Sequence, residues 1–313
     1  MKKNVFVMFL ILILFVSACS NNGTKGKQSE EEKEEERIAS STKGIVFSYL
    51  NPVVEGVKGS MIESAFKLEN YGPNPTTVII QGSVNPSKLS FNGGGSYIRK
   101  TITLNKKTPE NENAPAKIVP FGLKVVSNTN VEEADFDVKM CYDYVGEESV
   151  EVCIDQDPGN LGLFTKDCTT QPTISISGGQ GGPIAISKIE HTNLIDSSNN
   201  IKPQFKLYIS NMGPGEPVTY GKSATACSGT PLNENDLNAV MLKEISFSNF
   251  NKNNFRCTPN PLILGENDKD FIECTLNAGL LKKSKGKTIT TPLYIKIGYG
   301  YVREDMSRTV KII

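Results

Sequence analysis

Two stretches of this chain, far apart, follow the same plan. "SMIESAFKLENYGPNP" begins at Ser60 and "NIKPQFKLYISNMGPGEP" at Asn200. In the first, Ile62, Ser64, Phe66 and Leu68 alternate with Glu63, Ala65, Lys67 and Glu69, the period-two pattern of a half-buried strand. In the second, Ile201, Phe205 and Leu207 keep the same register and Lys206 stands where Lys67 stood. Each strand then meets a turn, Asn70-Tyr71-Gly72-Pro73 and Asn211-Met212-Gly213-Pro214. Asn tolerates left-handed backbone, Gly is expected to supply positive φ, and Pro stops further pairing.

A second correspondence follows in the same order. "CYDYVGEESVEVCI" from Cys141 matches "GYGYVREDMSRTVKI" from Gly298, each with Tyr-x-Tyr-Val-x-Glu, then a short polar turn and a returning strand. Two matches in one order indicate a tandem duplication. Each copy reads as a core strand, an Asn-Gly-Pro turn and a final hairpin that closes the unit. With 27 Gly and 17 Pro, and almost no long helix-period runs, the expectation is all-β, two tandem sandwiches of immunoglobulin size. The turn signature and tandem layout resemble the Ig-like adhesion-type modules of prokaryotic cell-surface proteins, which implies a binding or presenting role. The expected units are residues 44–156 and 184–313, joined by a linker, 157–183, whose "GGQGG" reads as flexible.

The front of the chain says where such a pair would sit. Lys2 and Lys3 precede "VFVMFLILILFV", residues 5–16, the plan of a secretory signal peptide. Twelve residues rise only ~18 Å as a helix, against ~30 Å of hydrocarbon, so a stable span is disfavoured. Val16-Ser17-Ala18-Cys19 resembles the lipobox of prokaryotic lipoproteins, which implies cleavage after residue 18 and a diacylglycerol on Cys19. Residues 19–43, with "EEEKEEER", have too little apolar content to fold and read as an acidic tether. It reaches ~80 Å at full extension.

Six cysteines remain: Cys141, Cys153, Cys168, Cys227, Cys257 and Cys274. An even number in an exported chain implies disulfides. A hairpin turn centred on Glu147 would place Cys141 opposite Cys153, with Cα atoms ~4.5–5.5 Å apart. Folding "CTPNPLILGENDKDFIEC" about Gly265-Glu266 sets Cys257 opposite Cys274, and elimination leaves Cys168 with Cys227. A zinc site would need closely spaced ligand pairs, and no Cys-x-x-Cys is present.

Other chemistries find little support. Without residues 1–18 the chain has 32 basic and 34 acidic residues, so nothing points to nucleic acid. His191 is the sole histidine. It alternates with Ile184, Ile186 and Ile189 and is expected to be solvated rather than catalytic. Calcium would need six to eight oxygens. "DQDPGN" (155–160) and "GENDKD" (265–270) offer oxygens without the EF-hand pattern. Tyr142, Tyr144, Tyr299 and Tyr301 sit two apart within each pair, on one strand face, and read as core. "FNGGGSY" (91–97) reads as a flexible hairpin loop. The expectation is a non-enzymatic, cofactor-free protein held to a membrane by its N-terminal lipid, facing the exterior or periplasm. It would meet an unknown surface protein or polymer through loops at the sandwich ends or along a sheet edge. The alternatives are a self-associating envelope or filament component and a solute- or metal-binding lipoprotein of a transport system.

Overall fold

A computed structural model of the protein describes residues 41–51, 55–108, 115–126, 132–159, 165–265 and 270–313. The signal peptide, Cys19 and all but the last three residues of the tether lie outside them. The strands are β1 (Ile45–Tyr49), β2 (Glu55–Gly56), β3 (Met61–Asn70), β4 (Thr76–Val84), β5 (Leu89–Phe91), β6 (Tyr97–Leu104), β7 (Ala116–Val125) and β8 (Glu132–Asp155) in the first half. The second half holds β9 (Thr173–Ser175), β10 (Ile184–Ile195), β11 (Asn200–Asn211), β12 (Glu216–Val218), helix α1 (Ser223–Cys227), β13 (Ala239–Phe247), β14 (Phe255–Thr258), β15 (Leu262–Ile263), β16 (Phe271–Leu276), β17 (Leu281–Lys282), β18 (Thr288–Arg303) and β19 (Arg308–Ile312). The fold is nearly all β, as the alternation requires.

The duplication is visible in the two outer sheets. One runs β1-β3-β7-β5; the other runs β10-β11-β16-β14, with β9 added beyond β10. The two strands that revealed the repeat, β3 and β11, hold the same place in each. Their inward residues are the predicted ones: Phe66 and Leu68, and Ile201, Phe205 and Leu207, are buried.

Both outer sheets pack on a single larger sheet built around β8 and β18. Here the expected closing hairpins do not form. β8 is one strand of 24 residues, antiparallel to β18 from Asp155 opposite Thr288 to Met140 opposite Arg303. After an irregularity at residues 304–307, β19 continues along the same edge of β8, from Arg308 opposite Phe136 to Ile312 opposite Glu132. The polar "VGEES" that reads as a turn stays extended because the other copy supplies its partners. Gly146 faces Ile297, while Glu147 pairs with Lys296 at 3.3 Å and accepts the Tyr294 hydroxyl at 2.5 Å.

The register of this ribbon follows the repeat. Tyr142 faces Tyr301, Tyr144 faces Tyr299, and Asp143 faces Gly300, its own equivalent. A local pseudo-twofold therefore passes through that last pair. Each half completes the other: β19 extends the first half's part of the sheet, and residues 146–155 of β8 extend the second's. The apolar core is correspondingly continuous, from Ile45 through the tyrosines to Ile312.

Two loop expectations also change. "FNGGGSY" is not a hairpin, because β5 pairs with β7 in an outer sheet whereas β6 pairs with β4 in the shared one. The loop crosses between layers, with Gly93, Gly94 and Gly95 all at positive φ, a region glycine enters without steric cost. "GGQGG" is not a free linker either. Gln180 is 2 % exposed, accepts the Ile186 N–H at 2.6 Å and donates to Glu148 at 2.9 Å.

Candidate functional site

The junction of the two halves concentrates the unusual features of the molecule, and the cysteines show why. All six pair among the described residues, and two of the three bridges, Cys141–Cys153 and Cys168–Cys227 in the sequence expectation, are made differently. Cys257 lies opposite Cys274 in the β14–β16 register, Cα atoms 4.1 Å apart, as the local folding argument required. Cys141 pairs instead with Cys227 (5.8 Å), and Cys153 with Cys168 (5.9 Å). Cys141 and Cys153 lie on one extended strand, twelve residues or ~40 Å apart, so they cannot meet. Cys227 comes from α1, inside residues 219–238, a second-half segment that reaches across onto the first half beside Ile79 and Cys141.

Beneath this staple lie the four tyrosines. Tyr142 and Tyr301 ring centroids are 5.6 Å apart, and those of Tyr144 and Tyr299 are 5.8 Å apart. All four rings are buried core, as their shared strand face predicts. Desolvation raises their phenol pKa values, that of Tyr301 to about 12. The turn glycines are needed here for room, not for positive φ. A Cβ on Gly213 would lie 2.3 Å from the Tyr301 hydroxyl, one on Gly182 would lie 2.3 Å from that of Tyr299, and one on Gly72 would overlap that of Tyr144. Asn70 and Asn211 lock the two turns identically, accepting the N–H of Gly72 at 2.9 Å and of Gly213 at 3.1 Å.

On the outer side of the shared sheet, Tyr220 and the Asn74–Thr76 turn border an open cleft of about 520 Å³. Its floor carries Asp143, Glu147 and Lys296; its wall is Tyr220, with the Lys243 ammonium 3.8 Å above the ring. Asp143 accepts the Gly221 N–H at 2.9 Å, and Asn74 donates to the Val145 carbonyl at 3.0 Å. Gly298, the counterpart of Cys141, makes this wall possible: a Cβ there would strike Lys243 at 2.6 Å and approach Tyr220 at 3.2 Å. The aligned repeats set Gly298 against Cys141, but sequence alone cannot show the cleft, whose lining comes from five separate segments.

The remaining sequence candidates fall elsewhere. His191 is not solvated: it is 2 % exposed and stacked on Phe205, centroids 4.7 Å apart. Asn193 donates to Thr170 at 3.0 Å, and Thr170 donates to the Cys153 carbonyl at 3.0 Å. The Asn193 carbonyl oxygen therefore faces His191 Nε2 at 3.2 Å. Nε2 must then carry the proton, leaving Nδ1 buried without a partner among the described residues. It lines a cavity of about 300 Å³ beside the Cys153–Cys168 bridge, and burial depresses its pKa to about 4. In the first calcium candidate, Lys166 reaches Asp155 at 2.5 Å and Lys283 reaches Asp157 at 3.4 Å, so the chain's own ammonium groups take the cation's place. The second candidate lies mostly outside the described residues. Among them no cluster of three metal-ligating side chains occurs, and no helix is long and apolar enough to cross a membrane.

The fold and junction define a disulfide-stapled, duplicated all-β protein. No family model matches the chain, and no curated protein does. Solved structures similar to it include one named BspA_C_mut, with 8 % identity, 87 % of this chain and 97 % of that one covered, and a TM-score of 0.19. Another is the C-terminal domain of the Streptococcus pyogenes antigen I/II-family protein AspA, with 6 % identity, 87 % and 98 % covered, and a TM-score of 0.17. A third is red sea bream transglutaminase, with 9 % identity and a TM-score of 0.21; 92 % of this chain aligns with 34 % of that enzyme, so it spans about a third of the enzyme's length. Similarity this loose leaves function to be read from the chain itself.

Proposed function

We propose that this is an exported surface protein, lipid-anchored through Cys19, with a non-catalytic binding or presenting role. The observation that supports it best is the pairing of all six described cysteines, an arrangement that persists in oxidising compartments outside the cytoplasm. The buried, Phe205-stacked His191 supports the non-catalytic part. A histidine-based nucleophile would need that ring at a substrate, and it is stacked in the core instead. Self-association along strand edges is less favoured. β6 has β4 as its only strand partner among the described residues, but its exposed edge carries Arg99 and Lys100, charges that blunt pairing with a second copy.

Intact mass of the protein extracted from its own membrane, with and without thiol alkylation, tests the proposal. The expected species begins at Cys19, is heavier by a diacylglycerol, and takes up no alkylating reagent until reduced. A chain that still begins at Met1 with free thiols would overturn it.

A further inference from the structure

We infer that the open cleft beside Tyr220 binds a neutral, polyhydroxylated ligand of one or two sugar units. The inference deepens the binding role proposed above, on which it rests only for where the ligand would be met. The cleft's volume of about 520 Å³ falls within the ~300–1,000 Å³ typical of small-molecule sites, which favour junctions between structural units.

Charge selects the ligand class. Among the lining residues Asp143 and Glu147 are matched by Lys243 and Lys296, and Lys296 is further shared with Glu244 at 3.7 Å, so an anion gains no net attraction and no lining carboxylate is left without a counter-charge. The same four groups set acceptors and donors side by side along the floor and the wall. A hydroxyl, which both donates and accepts, can bond to either kind. Glu147 and Lys296 already share a 3.3 Å ion pair, which fixes them. Among the described residues Lys243 forms no ion pair; its ammonium rests on the Tyr220 ring and can turn toward a ligand oxygen.

Shape points the same way. Tyr220 is exposed at the rim, and once Lys243 turns off its ring toward a ligand oxygen, an aromatic face beside a polar floor suits a pyranose, with its apolar C–H face and hydroxyl edge. The site is preorganised. The Gly221–Asp143 bond ties the residue after Tyr220 to the floor, the Asn74–Val145 bond fixes the far wall, and the Cys141–Cys227 bridge anchors the same excursion further along. A rigid site loses little entropy on binding. Hydrolysis is not implied. Asp143 and Glu147 stand four residues apart on one strand, about 13 Å, beyond the roughly 5–9.5 Å at which carboxylate pairs cleave glycosides.

Saturation-transfer NMR on the full chain, with glucose, galactose, N-acetylglucosamine and their disaccharides at millimolar concentration, tests this. Transfer to the ring C–H protons of at least one sugar is expected. It should weaken about tenfold in Tyr220→Ala and in Lys243→Met, and stay unchanged in Tyr97→Ala, an exposed ring far from the cleft. If Tyr220→Ala fails to fold, Lys243→Met decides. Absence of transfer to every sugar, transfer indifferent to both cleft variants, or displacement by lysine or glutamate more readily than by sugars would each overturn the inference. The mass and alkylation experiment is independent of sugar binding, so either reading can fail without the other.

Discussion

The first half keeps β4 as one strand of nine residues along β8. The second half breaks the equivalent strand into β12 and β13 along β18, and residues 219–238 leave the sheet between them. The consequences are complementary. Where the first half has Cys141, the second has Gly298. The cysteine captures the excursion through Cys227, and the glycine leaves room for its Tyr220 and Lys243. After duplication the copies diverged in a way that binds them together. The shared sheet already makes each dependent on the other's strand, so neither half is expected to fold alone.

The largest test of that dependence is the Cys141–Cys227 bridge. It joins residues separated by 86 positions, against 17 for Cys257–Cys274. The chain-entropy model assigns about 4.5 kcal/mol to the first and about 3 kcal/mol to the second. Replacing Cys141 and Cys227 by Ala should therefore cost more in urea unfolding than replacing Cys257 and Cys274, while both halves still melt in one transition. Two resolved transitions in the unmodified protein would break the picture of a single unit.

A smaller effect separates the halves by pH. His191 belongs to the second half, faces Phe205 and shares its cavity with Glu151. Its folded pKa, about 4, lies below the unfolded value of ~6.5. Between those values the unfolded chain binds more protons. The imidazole's contribution is thus fully present above pH ~6.5 and lost as pH falls toward 4, up to about 3 kcal/mol in all. His191→Gln should flatten the stability profile over that window, as followed by thermal melts. An unchanged slope would mean that the imidazole reaches solvent.

The smallest effect compares two equivalent residues directly. Tyr301 accepts the buried Gly215 N–H at 2.8 Å, while the Tyr144 hydroxyl has no partner among the described residues. Tyr301→Phe should cost about 1–3 kcal/mol by orphaning a buried donor. Tyr144→Phe should be close to neutral, since it removes a hydroxyl that makes no bond. Equal losses would show that the rings matter only as packing.

Much of this molecule was legible without coordinates, for a physical reason. Strand alternation, the Asn-Gly-Pro turns and the Cys257–Cys274 bridge depend on residues within about twenty positions of each other, so composition and spacing carry them. Even the four tyrosines were readable as core, because the period of two places them on the inward face of their strands. What the chain alone left open depends on partners far away in sequence. "VGEES" has the composition of a turn and becomes strand because β18, more than a hundred residues downstream, satisfies its backbone. Gly72 and Gly213 look like conformational hinges, yet they are glycines because tyrosine hydroxyls occupy the space a Cβ would need. Local sequence determined the strands, their faces and the repeat. The tertiary structure decided which strand pairs with which, where Cys141 finds its partner, and that the two copies border a cleft between them, because those choices turn on contacts made only when both halves are folded together.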